Sequence, residues 1–174
     1  MSENSVEGKK PKILVLIPAL NEERNIASVI QDVRKEITEA TILVINDGSV
    51  DATASKARQA GAKVLSHPFN MGYGVALQTG YKYALKYGFD CVVQMDGDGQ
   101  HDPRYIDLLI QELDTGKADI VIGSRFLVKG KHTIPLIRRI GMGFFGFIAG
   151  LLCGQTITDP TSGYQALSRR AVEC

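Results

Sequence analysis

The chain has 174 residues, 44% of them hydrophobic and 22% charged, an ordinary balance for one soluble globular domain with a sizeable core. With 20 Lys and Arg against 19 Asp and Glu the net charge is +1; there is no global field to attract nucleic acid, and no basic run is interleaved with aromatic residues. Cys91, Cys153 and Cys174 are widely spaced and odd in number, which fits neither a disulfide framework nor a zinc ribbon and points to a reducing location, the cytoplasm or the cytoplasmic face of a membrane.

Residues 1–11 are polar, lack the apolar stretch of a secretory signal and read as a disordered leader to a single domain over 12–174. Ile13 to Ile17 forms a continuous apolar strand, followed by a helix with Ile26, Val29, Ile30, Val33 and Ile37 on one face. Ile42 to Ile45 is the next strand, Asp51 to Ala60 a helix closed by Gly61, and Lys63 to Leu65 a third strand. A helix over Tyr73 to Tyr87 ends at Gly88, and Cys91 to Met95 is a fourth strand. Asp102 caps a helix with Pro103 at its first position and Ile106, Leu109, Ile110 and Leu113 inward. Ile120 to Ile122 is the last clear strand, and another helix is expected to begin at Arg170. Apolar strands alternating with helices predict an α/β fold, a mainly parallel sheet with helices on both faces.

Polar clusters follow successive strands: Asn21-Glu22-Glu23, Asn46 to Ser49, Phe69 to Gly72, Asp96 to Gln100, and Ser124-Arg125. Right-handed crossovers bring those strand ends to one edge of the sheet, where five polar loops converge on a crevice. Asp96 and Asp98, one residue apart after an apolar strand, offer oxygen ligands to a hard divalent cation, Mg²⁺ or Mn²⁺, shared with a substrate phosphate. Gln100 is a candidate third oxygen ligand, and Asp102 is more simply a helix cap.

Each cluster has a plainer reading. Asn21-Glu22-Glu23 is either a helix start with acids in its first turn or a ligand contact. Asp47 either belongs to a turn that caps the next helix or accepts from a nucleobase N–H or a ribose hydroxyl. Asn70, Gly72 and Gly74 form a loop and helix start, or a small-residue floor beneath a sugar or phosphate. His101 is a structural histidine or a ligand, and Arg125 a surface ion-pair partner or a fork on a diphosphate. His67 and His132 have no motif context.

Taken together, Ile17-Pro18-Ala19-Leu20-Asn21-Glu22-Glu23, Asn46 to Asp51, Asp96-Gly97-Asp98-Gly99-Gln100-His101-Asp102-Pro103, Gly123-Ser124-Arg125-Phe126 and Asp159-Pro160-Thr161-Ser162-Gly163-Tyr164 resemble the family 2 glycosyltransferases. The nearest subgroup is the polyprenyl (dolichyl) phosphate sugar transferases, including the mannosyltransferases. The resemblance runs from about Ile13 to the chain end. It implies a GT-A fold, a UDP- or GDP-sugar donor, a lipid-phosphate acceptor and Mg²⁺ or Mn²⁺. It puts Pro18, Asn21, Glu22 and Asp47 around the donor nucleotide; Asn70 and Gly72, from the loop reading above, are further donor-binding candidates. Asp96 falls near ribose or metal, and Asp98 and Gln100 on the metal. Arg125 faces the diphosphate, and Asp159, Ser162, Gly163 and Tyr164 border the acceptor and sugar. Asp98, Arg125 and Asp159 are the candidate catalytic residues. The chain lacks Trp and a Gln-x-x-Arg-Trp sequence, so processive polysaccharide synthases match poorly.

The family implies inversion by direct displacement. A lipid phosphate is already ionised near neutral pH and needs no strong base; a hydroxyl acceptor needs one, and Asp159 is the candidate unless it only orders the Pro160 turn. Ile140 to Cys153, fourteen residues without a charge after Arg138 and Arg139, are short for a membrane span. They read as a buried core helix or an interfacial helix beside a lipid. Related transferases continue further, so a C-terminally truncated chain is expected. A sugar-1-phosphate nucleotidyltransferase ranks lower, because Pro18-Ala19-Leu20-Asn21-Glu22 stands where a Gly-rich, Lys-containing loop is required. Neither a dinucleotide-binding nor a P-loop signature is present. A non-catalytic nucleotide-sugar-binding domain is the alternative from another class.

Overall fold

A computed structural model describes residues 10–123 and 162–174. The helical and strand segments predicted above recur with small shifts at their ends, beginning with β1 Ile13–Ala19, α1 Ile26–Glu36, β2 Thr41–Asn46, α2 Thr53–Gln59, β3 Lys63–Ser66, α3 Tyr73–Tyr87 and β4 Cys91–Gln94. A 3₁₀ turn over Pro103–Tyr105 leads into α4 Ile106–Asp114, followed by β5 Ile120–Ile122, β6 Gln165–Ser168 and α5 Arg169–Glu173. Of the expected features, Ser124, Arg125, His132, the apolar run Ile140 to Cys153, Asp159 and all of the leader but Lys10 and Pro11 lie outside the described residues.

Among the described residues the strands form one six-stranded sheet in the order β3-β2-β1-β4-β6-β5. β3, β2, β1 and β4 are parallel, while β6 runs antiparallel between β4 and β5. β6 is the element that sequence periodicity missed. Gln165-Ala166-Leu167-Ser168 is too short and too polar at its ends to signal a strand, and it becomes one because β4 and β5 supply hydrogen-bonding edges on both sides.

β1 is central, and both its faces are buried, with Leu14 to Ile17 inaccessible to solvent. Val15 and Ile17 face the apolar stripes of α1 and α4, and Leu14 and Leu16 face Ala76, Ala84 and Phe89 on the α3 side. Each such burial contributes about 1.5–3 kcal/mol, which is why the strands read as unbroken apolar runs rather than alternating ones. α3 lies close because Gly80 has no side chain: a Cβ there would stand 2.2 Å from Leu16 Cδ1. β2 and β4 flank β1 on opposite sides, so the connections reverse direction there. The crevice beyond the carboxyl ends of β1 and β4 is the switch point at which open α/β sheets bind ligands.

Candidate functional site

At that switch point lies a cavity of about 790 Å³, within the range of small-molecule sites. Of the residues singled out in the sequence, Pro18, Glu22, Asp47, Asn70 and Gly72 line one part of it, and Asp96, Asp98, Ser162 and Gly163 another. Asn21, Gln100 and Tyr164 do not line it.

Asn21 instead ties the first two loops together. It is a non-glycine residue in the left-handed region, φ 57°. In that pose its amide donates to Ser49 Oγ at 2.9 Å and its side-chain oxygen accepts from Val50 N at 3.0 Å. The next two amides continue the seam, Glu22 N to Thr53 Oγ1 at 2.8 Å and Glu23 N to Asp51 Oδ2 at 3.2 Å. The cap of α1 is Asn25, without a side-chain capping bond.

Asp47 is 4% exposed and organises the third loop. Its carboxylate accepts from Met71 N at 2.9 Å and Gly72 N at 2.8 Å, and His67 Nδ1 lies 2.7 Å from Oδ1. Burial works against its ionisation, but the His67 hydrogen bond and the two amides more than offset this and hold the carboxyl below its ordinary value. His67 Nε2 reaches Thr79 Oγ1 on α3 at 2.9 Å. Sequence reasoning passed over His67; its position directly after β3, on the edge where the polar loops gather, was the available signal. Gly48 closes this arrangement at φ 73°, where a Cβ would stand 2.3 Å from the carbonyl carbon of Phe69.

The loop after β4 divides its carboxylates. Asp96 accepts from the Tyr73 hydroxyl at 2.9 Å, and His101 Nε2 lies 3.0 Å from its other oxygen. Asp98 accepts from the Gln100 amide through Oδ1 at 2.9 Å. Asp98 and Gln100 also border a second cavity of about 470 Å³ against α1. Asp102 caps the 3₁₀ turn by accepting from Arg104 N at 3.1 Å, as its place before Pro103 predicts. His101 is buried and stacks on Tyr164 with ring centroids 5.0 Å apart, so its environment is structural as well as polar.

The segment 162–165 forms the remaining wall. Ser162 Oγ donates to Gly123 O at 2.7 Å, and the Tyr164 hydroxyl donates to Asp102 O at 3.0 Å; both side chains are buried. Burial, and then the nearby Asp102 charge, push the Tyr164 hydroxyl above its ordinary value. Gly163 is the member of this segment that lies on Asp96, and Gln94 and Gln165 complete the wall. Sequence reasoning missed Tyr73, Tyr81 and Gln94; a glutamine inside the apolar strand Cys91–Gln94 was the visible hint.

Among the described residues no group of three or more His, Cys, Asp and Glu side chains is gathered tightly enough to hold a metal by itself. The carboxylates of Asp96 and Asp98 are nonetheless the right donors for a hard divalent cation, which commonly takes one or two protein carboxylates and completes its shell with phosphate and water. Among the described residues no helix is long and apolar enough to cross a membrane.

The family model described as glycosyl transferase family 2 matches residues 14–174. The chain belongs to that family. A family 2 relative, the polyprenol monophosphomannose synthase of Mycolicibacterium smegmatis, is 31% identical over 93% of this chain and 63% of its own length. The UDP-N-acetylglucosamine–dolichyl-phosphate N-acetylglucosaminyltransferase of Methanococcus voltae is 32% identical over 92% of this chain and 71% of its own. Among solved structures, glucosyl-3-phosphoglycerate synthase from Mycobacterium tuberculosis, in complex with Mn²⁺, UDP-glucose and glycerol 3-phosphate, superimposes with a TM-score of 0.72 at 26% identity. That match covers 92% of this chain and 58% of the synthase. The fold is GT-A, and the chain spans little more than half to about two thirds of the length of these relatives.

Proposed function

We propose that this chain is the catalytic domain of a metal-dependent inverting glycosyltransferase that moves a sugar from a nucleoside-diphosphate sugar to a polyprenyl (dolichyl-type) phosphate. The observation that carries this reading is the convergence in one cavity of the Asp47-organised loops and the Asp96–Asp98 pair. Two relatives named for polyprenol and dolichyl-phosphate chemistry, and a neighbour crystallised with Mn²⁺ and a UDP-sugar, support it.

In this reading the edge formed by Pro18, Glu22, Asn70 and Gly72 receives the nucleotide. Asn21 and Asp47 act by holding those loops in place. Asp96 and Asp98 hold Mg²⁺ or Mn²⁺, with Gln100 reaching it after a rearrangement of its exposed side chain. The cation's contribution, when bound, is Lewis-acid stabilisation of the departing nucleoside diphosphate. Asp98 anchors that charge compensation. Arg125 faces the same diphosphate, and Asp159 with Ser162, Gly163 and Tyr164 borders the acceptor; Arg125 and Asp159 take these places from the family motifs. An acceptor phosphate oxygen attacks the anomeric carbon from the face opposite the leaving group, with no strong base required. The place of action is the cytoplasmic face of a membrane, where such an acceptor presents its phosphate.

A second reading takes a hydroxyl acceptor and uses Asp159 as base, favoured by the structural match to an enzyme named for phosphoglycerate glucosylation. The deciding experiment is calorimetric titration with UDP-, GDP- and dTDP-sugars, each with and without Mn²⁺, followed by transfer assays on polyprenyl phosphate and on 3-phosphoglycerate. Metal-dependent binding of one donor and transfer to the lipid are expected. Transfer to phosphoglycerate alone would replace the first reading by the second, and binding and transfer that both ignore the metal would remove the cation from the reaction.

A further inference from the structure

The Asp96 carboxylate ends a one-way chain of hydrogen bonds. The Tyr81 hydroxyl donates to Gln94 Oε1 at 2.5 Å. Gln94 Nε2 donates to the Tyr73 oxygen at 3.2 Å and to the Gly163 carbonyl at 3.1 Å. Turned the other way, the amide oxygen of Gln94 would face the Gly163 carbonyl oxygen, two acceptors with no proton between them. The orientation of Gln94 is therefore set, the Tyr73 oxygen accepts an N–H, and the Tyr73 proton goes to Asp96 Oδ1.

The arrangement is costly unless it has a use. Gln94 is 3% exposed on a strand otherwise made of Cys91, Val92 and Val93, and a buried amide must satisfy every donor and acceptor to break even. Packing alone would be served by an aliphatic side chain such as Val92. What the amide does instead is join Tyr73, at the start of α3, to the backbone of Gly163. Gly163 lies flat on the same group: a Cβ there would stand 2.8 Å from Asp96 Oδ2 and 3.0 Å from the Tyr73 hydroxyl.

We propose that Tyr73, oriented by Gln94, is a positioning residue that fixes the Asp96 carboxylate and seats segment 162–165 against it, so that affinity for the divalent cation and placement of that segment are set together. The inference rests on the reading of Asp96 and Asp98 as the cation's ligands. Partners that orient a ligating carboxylate typically change metal affinity by about 10–100-fold when removed.

The test is Mn²⁺ affinity, measured by electron paramagnetic resonance in the presence of UDP or GDP, for the wild-type chain and Tyr73→Phe. That substitution keeps the ring and removes the hydroxyl. Binding is expected to weaken by about 10–100-fold with an unchanged melting temperature. Tyr87→Phe, an exposed tyrosine whose ring packs on Tyr83, is expected to bind as the wild type does. Gly163→Ala removes no hydrogen-bonding group yet intrudes on the carboxylate; it is expected to weaken Mn²⁺ as well, and it carries the test should Tyr73→Phe not fold. Wild-type affinity in either folded variant overturns the inference and leaves the cation site standing. Absence of Mn²⁺ binding in the wild-type chain with both nucleotides overturns the inference and the cation site together.

Discussion

Asp47 and Asp98 stand on the wall of one cavity and differ in what surrounds their carboxylates. Asp47 is saturated by two amides and an imidazole, whereas Asp98 accepts one amide of its own loop. Asp98→Asn is therefore expected to leave the fold intact and to abolish the metal dependence of donor binding, seen by calorimetry with and without Mn²⁺. Turnover should fall by about 100-fold or more, the equivalent of a few kcal/mol of charge stabilisation. Asp47→Asn acts on stability. The folded carboxyl lies below its ordinary value of 3.8, so the unfolded chain binds the proton more readily. The stabilisation is full above about pH 4 and is lost as pH falls through the lower folded value. Urea denaturation at neutral and acidic pH should find Asp47→Asn less stable than wild type near neutrality and less sensitive to acid; parallel curves would rule out the linkage.

At the scale of elements, two glycines determine how closely the pieces approach. Gly80 lets α3 settle on β1, and Gly80→Val drives a branched side chain into Leu16. A loss of about 1–3 kcal/mol, or failure to fold, is expected from chemical denaturation. Gly48 combines φ 73° with backbone contact to Phe69. Gly48→Ala should shift the loop that Asp47 organises, so its donor affinity is expected to drop further than its melting temperature, and a wild-type donor affinity would count against that loop as a binding wall. The helices α1, α3 and α4 and the strands β1, β2 and β4 were legible because apolar periodicity is a local property of the chain. α2 was drawn too long, from Asp51 rather than Thr53, because Asp51 serves instead as an acceptor for Glu23 and Thr53 amides. Asp102 was read correctly as a cap because its signal, an acceptor followed by Pro103, is equally local.

In the whole molecule, β6 ties the described segment 162–174 to the described segment 10–123. It separates β4 from β5, and among the described residues β5 pairs with no other strand. Removing residues 124–174 leaves β4 as an open edge and β5 unpaired; size-exclusion chromatography and circular dichroism are expected to show aggregation or loss of a cooperative transition. A monomeric, cooperatively melting product would mean that β3-β2-β1-β4 folds independently. Sequence alone determined the α/β class, the order of the main elements and the gathering of polar loops at one sheet edge, since strand period and strand ends are written in neighbouring residues. Tertiary structure decided which carboxylates are already occupied and by what. Gln94 meets Gly163 across 69 positions, and His67 meets Asp47 across 20. Hydrogen-bond partners so far apart leave no periodic trace in the chain, and only the packed sheet brings their donors and acceptors within reach.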